Sequence, residues 1–246
     1  MLTNNSKLTL DSLSKMIDIY ADVKNLSEIL RFRESNFIKG FTTNPTLIRK
    51  GGTSNYLDFI RDAVELVRDS NISIEVIADD FDQMYRQAIE LSQISNKIYV
   101  KIPIYNSKHD SSIPLIKKLI QDGCPLNITA ILTRQQIDNL ASVVNSSSSL
   151  IVSIFAGRIA DTGIDPVPTI RHSVNVFSDN PSIKTLWASP REVLNILQAI
   201  ECKCDIITAI PEILNKLNLI GKNLDEYSLE TVKMFYNDAL ESKYVL

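Results

Sequence analysis

The sequence predicts an α/β protein, a (β/α)8 TIM barrel forming a single domain over residues 1–246, with extra C-terminal helices over 211–246 that close it. Three observations lead there. Eight short apolar, β-rich runs recur with starts roughly 20 to 35 residues apart, the spacing of repeated strand–helix units. Segments with helical periodicity lie between them. The length, 246 residues, suits an α/β barrel built as one domain, and no Pro/Gly/Ser-rich linker divides the chain. An open doubly wound sheet is the alternative. Its Gly-rich phosphate-binding turn is missing from a chain with seven glycines.

Residues along a barrel strand alternate between the interior and the helix layer, so each run has two faces. In the first, "MIDIYADV" at 16–23, Ile17, Ile19, Ala21 and Val23 suit the helices, and Asp18, Tyr20 and Asp22 face inward. In "IKGFTTN" at 38–44, Thr42 and Asn44 face inward. In "SIEVIA" at 73–78, Ile74, Val76 and Ala78 face out and Glu75 faces in. The next stretch, 80–95, is an amphipathic helix with Phe81, Met84, Tyr85, Ala88, Ile89, Leu91 and Ile94 as its apolar residues.

The fourth run, "IYVKIP" at 98–103, sends Ile98, Val100 and Ile102 outward, and Tyr99, Lys101 and Pro103 inward. In "PLNITAI" at 125–131, Leu126, Ile128 and Ala130 face out and Asn127 and Thr129 face in, before a helix over 134–144. The serine run at 146–149 reads as a loop. "LIVSIFA" at 150–156 turns Ser153 and Phe155 inward, and a helix follows over 167–177. "TLWAS" at 185–189 turns Trp187 and Ser189 inward, with a helix over 191–200. "DIITAI" at 205–210 is the eighth strand. The amphipathic stretch 224–240 either closes the barrel or meets a neighbour.

An ordinary barrel core is filled with bulky branched residues. Here Asp, Glu, Lys, Asn, Thr and Ser converge instead, late in their strands, where barrel active sites lie. An ammonium is costly to bury without a partner. One interior Lys–Asp pair could be a satisfied salt bridge; polar residues from strand after strand argue for a site. Desolvation disfavours a charged amine, and a neutral amine attacks a ketone to form a Schiff base. Lys101 is the candidate nucleophile. Asp22 would accept and return the proton of a substrate hydroxyl. Glu75, with Thr129 and a water, would move protons during carbinolamine formation and dehydration.

Composition narrows the remaining classes. The net charge is −3 and no dense Lys/Arg stripe is present, so no nucleic-acid partner is expected. Three cysteines and two histidines predict neither a disulfide framework nor a metal site. No run of about 18 apolar residues predicts a membrane span. The first residues lack the apolar core of a secretory signal, so a cytoplasmic protein is expected.

The blocks "YADVKN" (Asp22), "GFTTNPTLI" (Thr42, Asn44), "IEV" (Glu75), "YVKIP" (Lys101), "NITAI" (Asn127, Thr129), "VSIFAGRIADTG" (Ser153, Phe155, Arg158, Asp161) and "ASPR" (Ser189, Arg191) resemble the transaldolase family of class I aldolases, from Tyr20 to about Leu214. "TTNPT" and "VKIP" together are the specific part. The resemblance implies a Schiff base on Lys101, general acid/base work by Asp22, and water handling by Glu75 and Thr129. It implies that Asn44, Asn127 and Ser153 hold the hydroxyls of a dihydroxyacetone fragment, and that Arg158, Ser189 and Arg191 hold a phosphate. It implies sugar-phosphate substrates in the pentose phosphate pathway, no cofactor, and a possible homo-oligomer. Glu75 and Phe155 match the family's transferases, whose aldolase relatives usually carry Gln and Tyr there. A fructose 6-phosphate aldolase and a non-catalytic sugar-phosphate-binding barrel are the alternatives. Two residues depart from the pattern. Val23 replaces a common hydroxyl residue, and Pro190 replaces the usual aromatic.

The phosphate segment also has a physical reading. Ser189 fits a helix N-cap, Pro190 the first helical position, and Glu192 a capping box. A helix N-terminus attracts anions, and Arg191 would strengthen it. Ser189 could equally serve as a cap alone.

Overall fold

A computed structural model describes residues 9–145 and 148–244; the first eight residues and half of the serine run at 146–149 lie outside them. Eight strands form a closed parallel barrel: β1 (Asp18–Asp22), β2 (Ile38–Thr42), β3 (Asn71–Glu75), β4 (Ile98–Pro103), β5 (Leu126–Ile131), β6 (Leu150–Ile154), β7 (Ile183–Trp187) and β8 (Ile206–Ala209). Helix α1 (Leu10–Ser14) precedes β1. Then α2 (Leu26–Phe32) follows β1, and α3 (Pro45–Lys50) and α4 (Tyr56–Leu66) both follow β2. The next four strands are followed by α5 (Phe81–Ile94), α6 (Ile113–Gln121), α7 (Arg134–Ala141), and α8 (Ala156–Asp161) with α9 (Val167–Val176). Then come α10 (Leu194–Glu201) after β7, and α11 (Pro211–Leu214) and α12 (Leu224–Ser242) after β8.

Local chemistry sets several boundaries. Asp80 caps α5, its carboxylate accepting from Gln83 N–H at 3.0 Å. Thr133 and Gln136 form a capping box on α7. β3 begins and ends earlier than the residue pattern suggests. It stops at Glu75 because the Gln87 side-chain oxygen accepts the N–H groups of both Ile77 and Ala78, each at 2.9 Å, so neither continues the ladder.

Apolar burial divides into two layers. The outer one joins Ile19, Ile74, Val100, Ile102 and Ile128 of the strands to Ile29, Ile60, Met84, Ile116 and Ile137 of the helices. Each such side chain, fully buried, contributes about 1.5–3 kcal/mol, so this layer carries most of the fold's stability. The inner one is small: Tyr20, Ile151, Leu186, Ala188 and Ile206, with Tyr99 and Phe155 against it. It fills the lower interior with Tyr20, Ile151 and Ile206, and Leu186, Ala188 and Phe155 continue it as an apolar wall at the strand ends, beside the polar groups there.

Two facing assignments need correction. Trp187 belongs to the outer layer, and Leu186 and Ala188 point inward. The register explains this, because Ser153 pairs with Leu186 and Ile154 with Trp187, and paired residues share a face. β7 is apolar on both faces at its end, so alternation alone cannot choose between them. The second is Ala130. The β5–β6 register shifts between Ile128 and Ile131, and Ala130 takes φ +60°. This irregularity turns Ala130 to the interior and returns Ile131 to the outer layer, as a bulge does.

The C-terminal α12 contains no buried residue; Leu229, Val232, Phe235 and Tyr236 are all mostly exposed. All three cysteines are buried and free. Among the described residues, no helix is long and apolar enough to cross a membrane.

Gly40 is a packing requirement inside the barrel. A Cβ there would lie 2.5 Å from Cζ of the buried Tyr20 ring. Gly40→Ala is expected to lower the urea-unfolding free energy by about 1–3 kcal/mol. The loss should shrink on a Tyr20→Leu background, where the ring is gone.

Candidate active site

One cavity of about 540 Å³ lies at the C-terminal ends of the strands. Lys101, Asp22, Glu75 and Thr129 line it, as do Thr42, Asn44, Asn127, Ser153, Phe155, Arg158, Ser189 and Arg191. All twelve residues singled out from the sequence are therefore brought together.

Lys101 is at its centre, 6% exposed. Its Nζ donates to the Thr43 carbonyl at 2.7 Å and lies 3.0 Å from Glu75 Oε2. Strand pairing enforces this arrangement: Glu75 and Asn127 are the direct register partners of Lys101 on its two sides. The amine is thus buried but not orphaned, which meets the cost of taking a charge out of water.

Asp22 ends β1 beside its register partner Thr42. Thr42 Oγ1 donates to Asp22 Oδ1 at 2.8 Å and sits 2.5 Å from Thr208 Oγ1. With the Thr42 proton given to Asp22, Thr208 supplies the donor to Thr42, so the three form one relay. Burial pushes the Asp22 carboxyl above the ordinary carboxylate range, against the opposing pull of Lys101 and Thr42; Glu75 adds to the rise.

A second network crosses the interior. Ser153 Oγ donates to Asn127 Oδ1 at 2.6 Å, and Asn127 Nδ2 donates to Ser73 Oγ at 3.0 Å. Thr129 is also buried, yet its hydroxyl has no protein partner. Of the buried, unpartnered side-chain atoms among the described residues, it is the one whose residue lines the cavity. It is a hydroxyl in want of a water or a ligand oxygen. Asn44 caps α3, its Oδ1 accepting from Leu47 N–H at 3.0 Å, so its amide NH2 is the end left for a ligand.

The phosphate-side expectation is corrected in its local structure. No helix begins at Ser189. Helix α10 starts at Leu194, Val193 is its N-cap, and Ser189 adopts φ +57° in an irregular turn. Asn195 Oδ1 accepts the N–H groups of Arg191 and Glu192, at 2.7 and 3.2 Å. The backbone donors expected at a helix end are therefore already taken, and Glu192 closes no capping box. Ser189 still lines the cavity, through its left-handed turn and not through strand alternation.

The two arginines are held differently. Arg191 Nε donates to Asp161 Oδ1 at 2.9 Å, and its NH2 group pairs with Oδ2. Asp161 is held below the ordinary carboxylate range by this guanidinium. The Arg158 guanidinium lies 5.9 Å from the Phe155 ring centre. Gly157 makes room between the two loops. A Cβ there would fall 1.5 Å from the Ser189 carbonyl oxygen.

Some site residues escaped the sequence reading. Ser73 and Thr208 obey the same alternation as their neighbours Glu75 and Ile206 and could have been found by it. Lys50 lines the mouth from the end of α3, where no strand pattern points. Asp161 carried no role in the motif, because its partner Arg191 is 30 residues away.

The family model for transaldolase/fructose-6-phosphate aldolase matches residues 19–244. A "Probable transaldolase" of Thermoplasma volcanium is 32% identical over 212 residues, covering 85% of this chain and 90% of the relative. Another, of Nitrosopumilus maritimus, is 29% identical over 201 residues, covering 81% of this chain and 86% of the relative. The chain belongs to the transaldolase/fructose-6-phosphate aldolase family. Among solved structures, an aldolase, QR15, superimposes with TM-score 0.54 at 15% identity, covering 85% of this chain and 99% of that one. A flavocytochrome b2 mutant with benzoylformate gives TM-score 0.52 at 10% identity, covering 79% of this chain and 56% of that one. These two share the barrel, and a barrel by itself does not choose a reaction.

Two substitutions test the site's physics. The folded-state value of Asp22 is raised, so its contribution to stability falls as pH rises from the ordinary carboxylate range through that raised value. Asp22→Asn should therefore unfold at a higher temperature than wild type at neutral pH. The difference should vanish in strong acid, as thermal melts across pH would show. Gly157→Ala meets backbone rather than a movable side chain. It should cost about 1–3 kcal/mol or more in chemical denaturation.

Proposed function

We propose that the chain is a transaldolase. It transfers a dihydroxyacetone unit from a ketose phosphate, sedoheptulose 7-phosphate or fructose 6-phosphate, to an aldose phosphate through a Schiff base on Lys101. The observation that carries this reading is the buried Lys101 amine, 3.0 Å from the Glu75 carboxylate, in a cavity that also holds Asp22 and the unpartnered Thr129 hydroxyl.

With its proton passed to Glu75, the neutral Lys101 amine attacks the ketose carbonyl carbon, and the proton that the nitrogen sheds on forming the C–N bond moves to the carbonyl oxygen to give a carbinolamine. Glu75, with Thr129 orienting a water, delivers the proton that lets hydroxide leave as water and produces the iminium. Asp22 then removes the proton of the hydroxyl beside the carbon–carbon bond that breaks. That bond's electron pair moves to the iminium, an aldose phosphate departs, and a three-carbon enamine remains on Lys101. An upward-shifted carboxyl suits this role, since the same group must return the proton when the enamine attacks the incoming aldehyde.

Asn127, Ser153 and Asn44 would hold the hydroxyls of the retained fragment. Arg158, Ser189 and Arg191, which line the same cavity, would hold the phosphate. Because Asp161 compensates the Arg191 charge, Arg191 acts mainly as an oriented donor, and Arg158 supplies net positive charge. Phe155 argues for transfer over simple aldol cleavage. Without a hydroxyl it cannot activate a water to protonate the enamine, so the enamine survives until an aldehyde arrives. The reading places the protein in the pentose phosphate pathway, in the cytoplasm.

Borohydride reduction in the presence of fructose 6-phosphate, followed by peptide mapping, should leave a stable adduct on Lys101. Lys101→Met should lower turnover on the order of 10³-fold or more. An adduct on another lysine, or full turnover by the variant, would refute the mechanism. Release of glyceraldehyde 3-phosphate at the same rate with and without an acceptor aldose would mark a lyase instead.

A further inference from the structure

The geometry points to Tyr56 as a positioning residue that holds Glu75 against Lys101; this rests on the transaldolase reading for its catalytic consequence. In a parallel sheet the carbonyls of one strand accept N–H groups from the next. β2 and β3 pair Thr42 with Ser73, and Thr43 N–H donates to the Ser73 carbonyl at 3.2 Å. Two residues further along, the same register sets Asn44 opposite Glu75. The N–H due to the Glu75 carbonyl then belongs to residue 45. That residue is Pro45, which has none.

The Thr43 carbonyl, on the same edge, accepts from Lys101 Nζ. β2 and β3 thus come apart at the point where their ends carry the site. The Tyr56 hydroxyl, from the first turn of α4, fills the gap. It donates to the Glu75 carbonyl at 2.6 Å, taking the place of the missing strand neighbour. Without it, the last residue of β3 has an unsatisfied, partly buried carbonyl on its β2 side, while on the β4 side Val76 N–H still donates to the Lys101 carbonyl at 3.2 Å.

This anchor matters because β4 holds Glu75 from one side only, and Tyr56 supplies the hold from the other. Its carboxylate is an ion-pair partner of Lys101 from β4, and Asp22 from β1 and the Tyr56 phenol from α4 also act on it. The peptide that follows its Cα is held at both ends, the carbonyl by Tyr56 and the Val76 N–H by the Lys101 carbonyl. Burial, reinforced by the Glu75 charge, pushes the Tyr56 phenol above its ordinary range, so it remains a donor. Tyr56 does not line the cavity, so its influence on substrate runs through Glu75.

Tyr56→Phe removes one hydroxyl and keeps the ring. Tyr85→Phe is the control, since the Tyr85 hydroxyl bonds Asp122 at 3.0 Å, outside the cavity. The rate at which trinitrobenzenesulfonate labels Lys101, read by peptide mass across pH, needs no turnover. Its pH profile should be displaced in Tyr56→Phe and should superimpose on wild type in Tyr85→Phe. For fructose 6-phosphate, kcat should fall roughly 10-fold in Tyr56→Phe with KM nearly unchanged, the signature of a misplaced catalytic group. Labelling profiles for Tyr56→Phe that match wild type, or an equal displacement in the control, overturn the inference. Failure to trap ketose on wild-type Lys101 overturns the transaldolase reading instead, and the labelling profiles still decide the role of Tyr56.

Discussion

An amine buried in a barrel mouth needs acceptors within reach, and in this protein that requirement organises the rest of the site. Lys101 takes one acceptor from backbone, the Thr43 carbonyl, and one from side chain, the Glu75 carboxylate. Both come from one side of β4, the first from the turn after β2 and the second from the end of β3. On the other side Asn127 sits in direct register, but it is occupied by Ser153 and Ser73. The amine is therefore held from one flank, and the space above it stays open to the cavity. An arrangement with acceptors all round would make a structural salt bridge. This lopsided one leaves an approach for a carbonyl carbon.

The division of labour between layers makes such a centre affordable. The apolar contacts that stabilise the fold lie almost entirely between strands and helices. The interior cluster is small, and only Leu186, Ala188 and Phe155 of it reach the cavity. Polar residues in the upper interior thus displace few apolar contacts. What they cost is desolvation, and the two hydrogen-bond networks offset much of it. The raised Asp22 carboxyl shows where the offset is incomplete.

The barrel was legible because its strands carry strong alternation where one face is polar. Lys101 between Val100 and Ile102, or Glu75 between Ile74 and Val76, leaves no doubt about direction. Legibility failed where that contrast disappears. β7 ends in Leu186 and Trp187 and is followed by Ala188, apolar on both sides, and the phase there is set by register with β6. It failed again where the backbone leaves its regular path, at Ala130 and Ser189, each with positive φ. The Ser-Pro-Arg-Glu segment carries the letters of a helix cap, but the cap pattern does not see Asn195, whose side chain takes the donors first. Contacts between distant loops, such as Arg191 with Asp161, leave no trace in any local period.

Gly157 joins what the chain otherwise separates. The first turn of α8 and the Ser189 turn meet through backbone alone, with no side chain to yield between them. Arg191 and Asp161 fasten the same two segments a few residues away. The segments after β6 and β7 therefore behave as a single rigid part, although 30 residues separate their fastened side chains. Variation in this half of the rim has to be inherited as a block. A change of length or course in one loop calls for a matching change in the other.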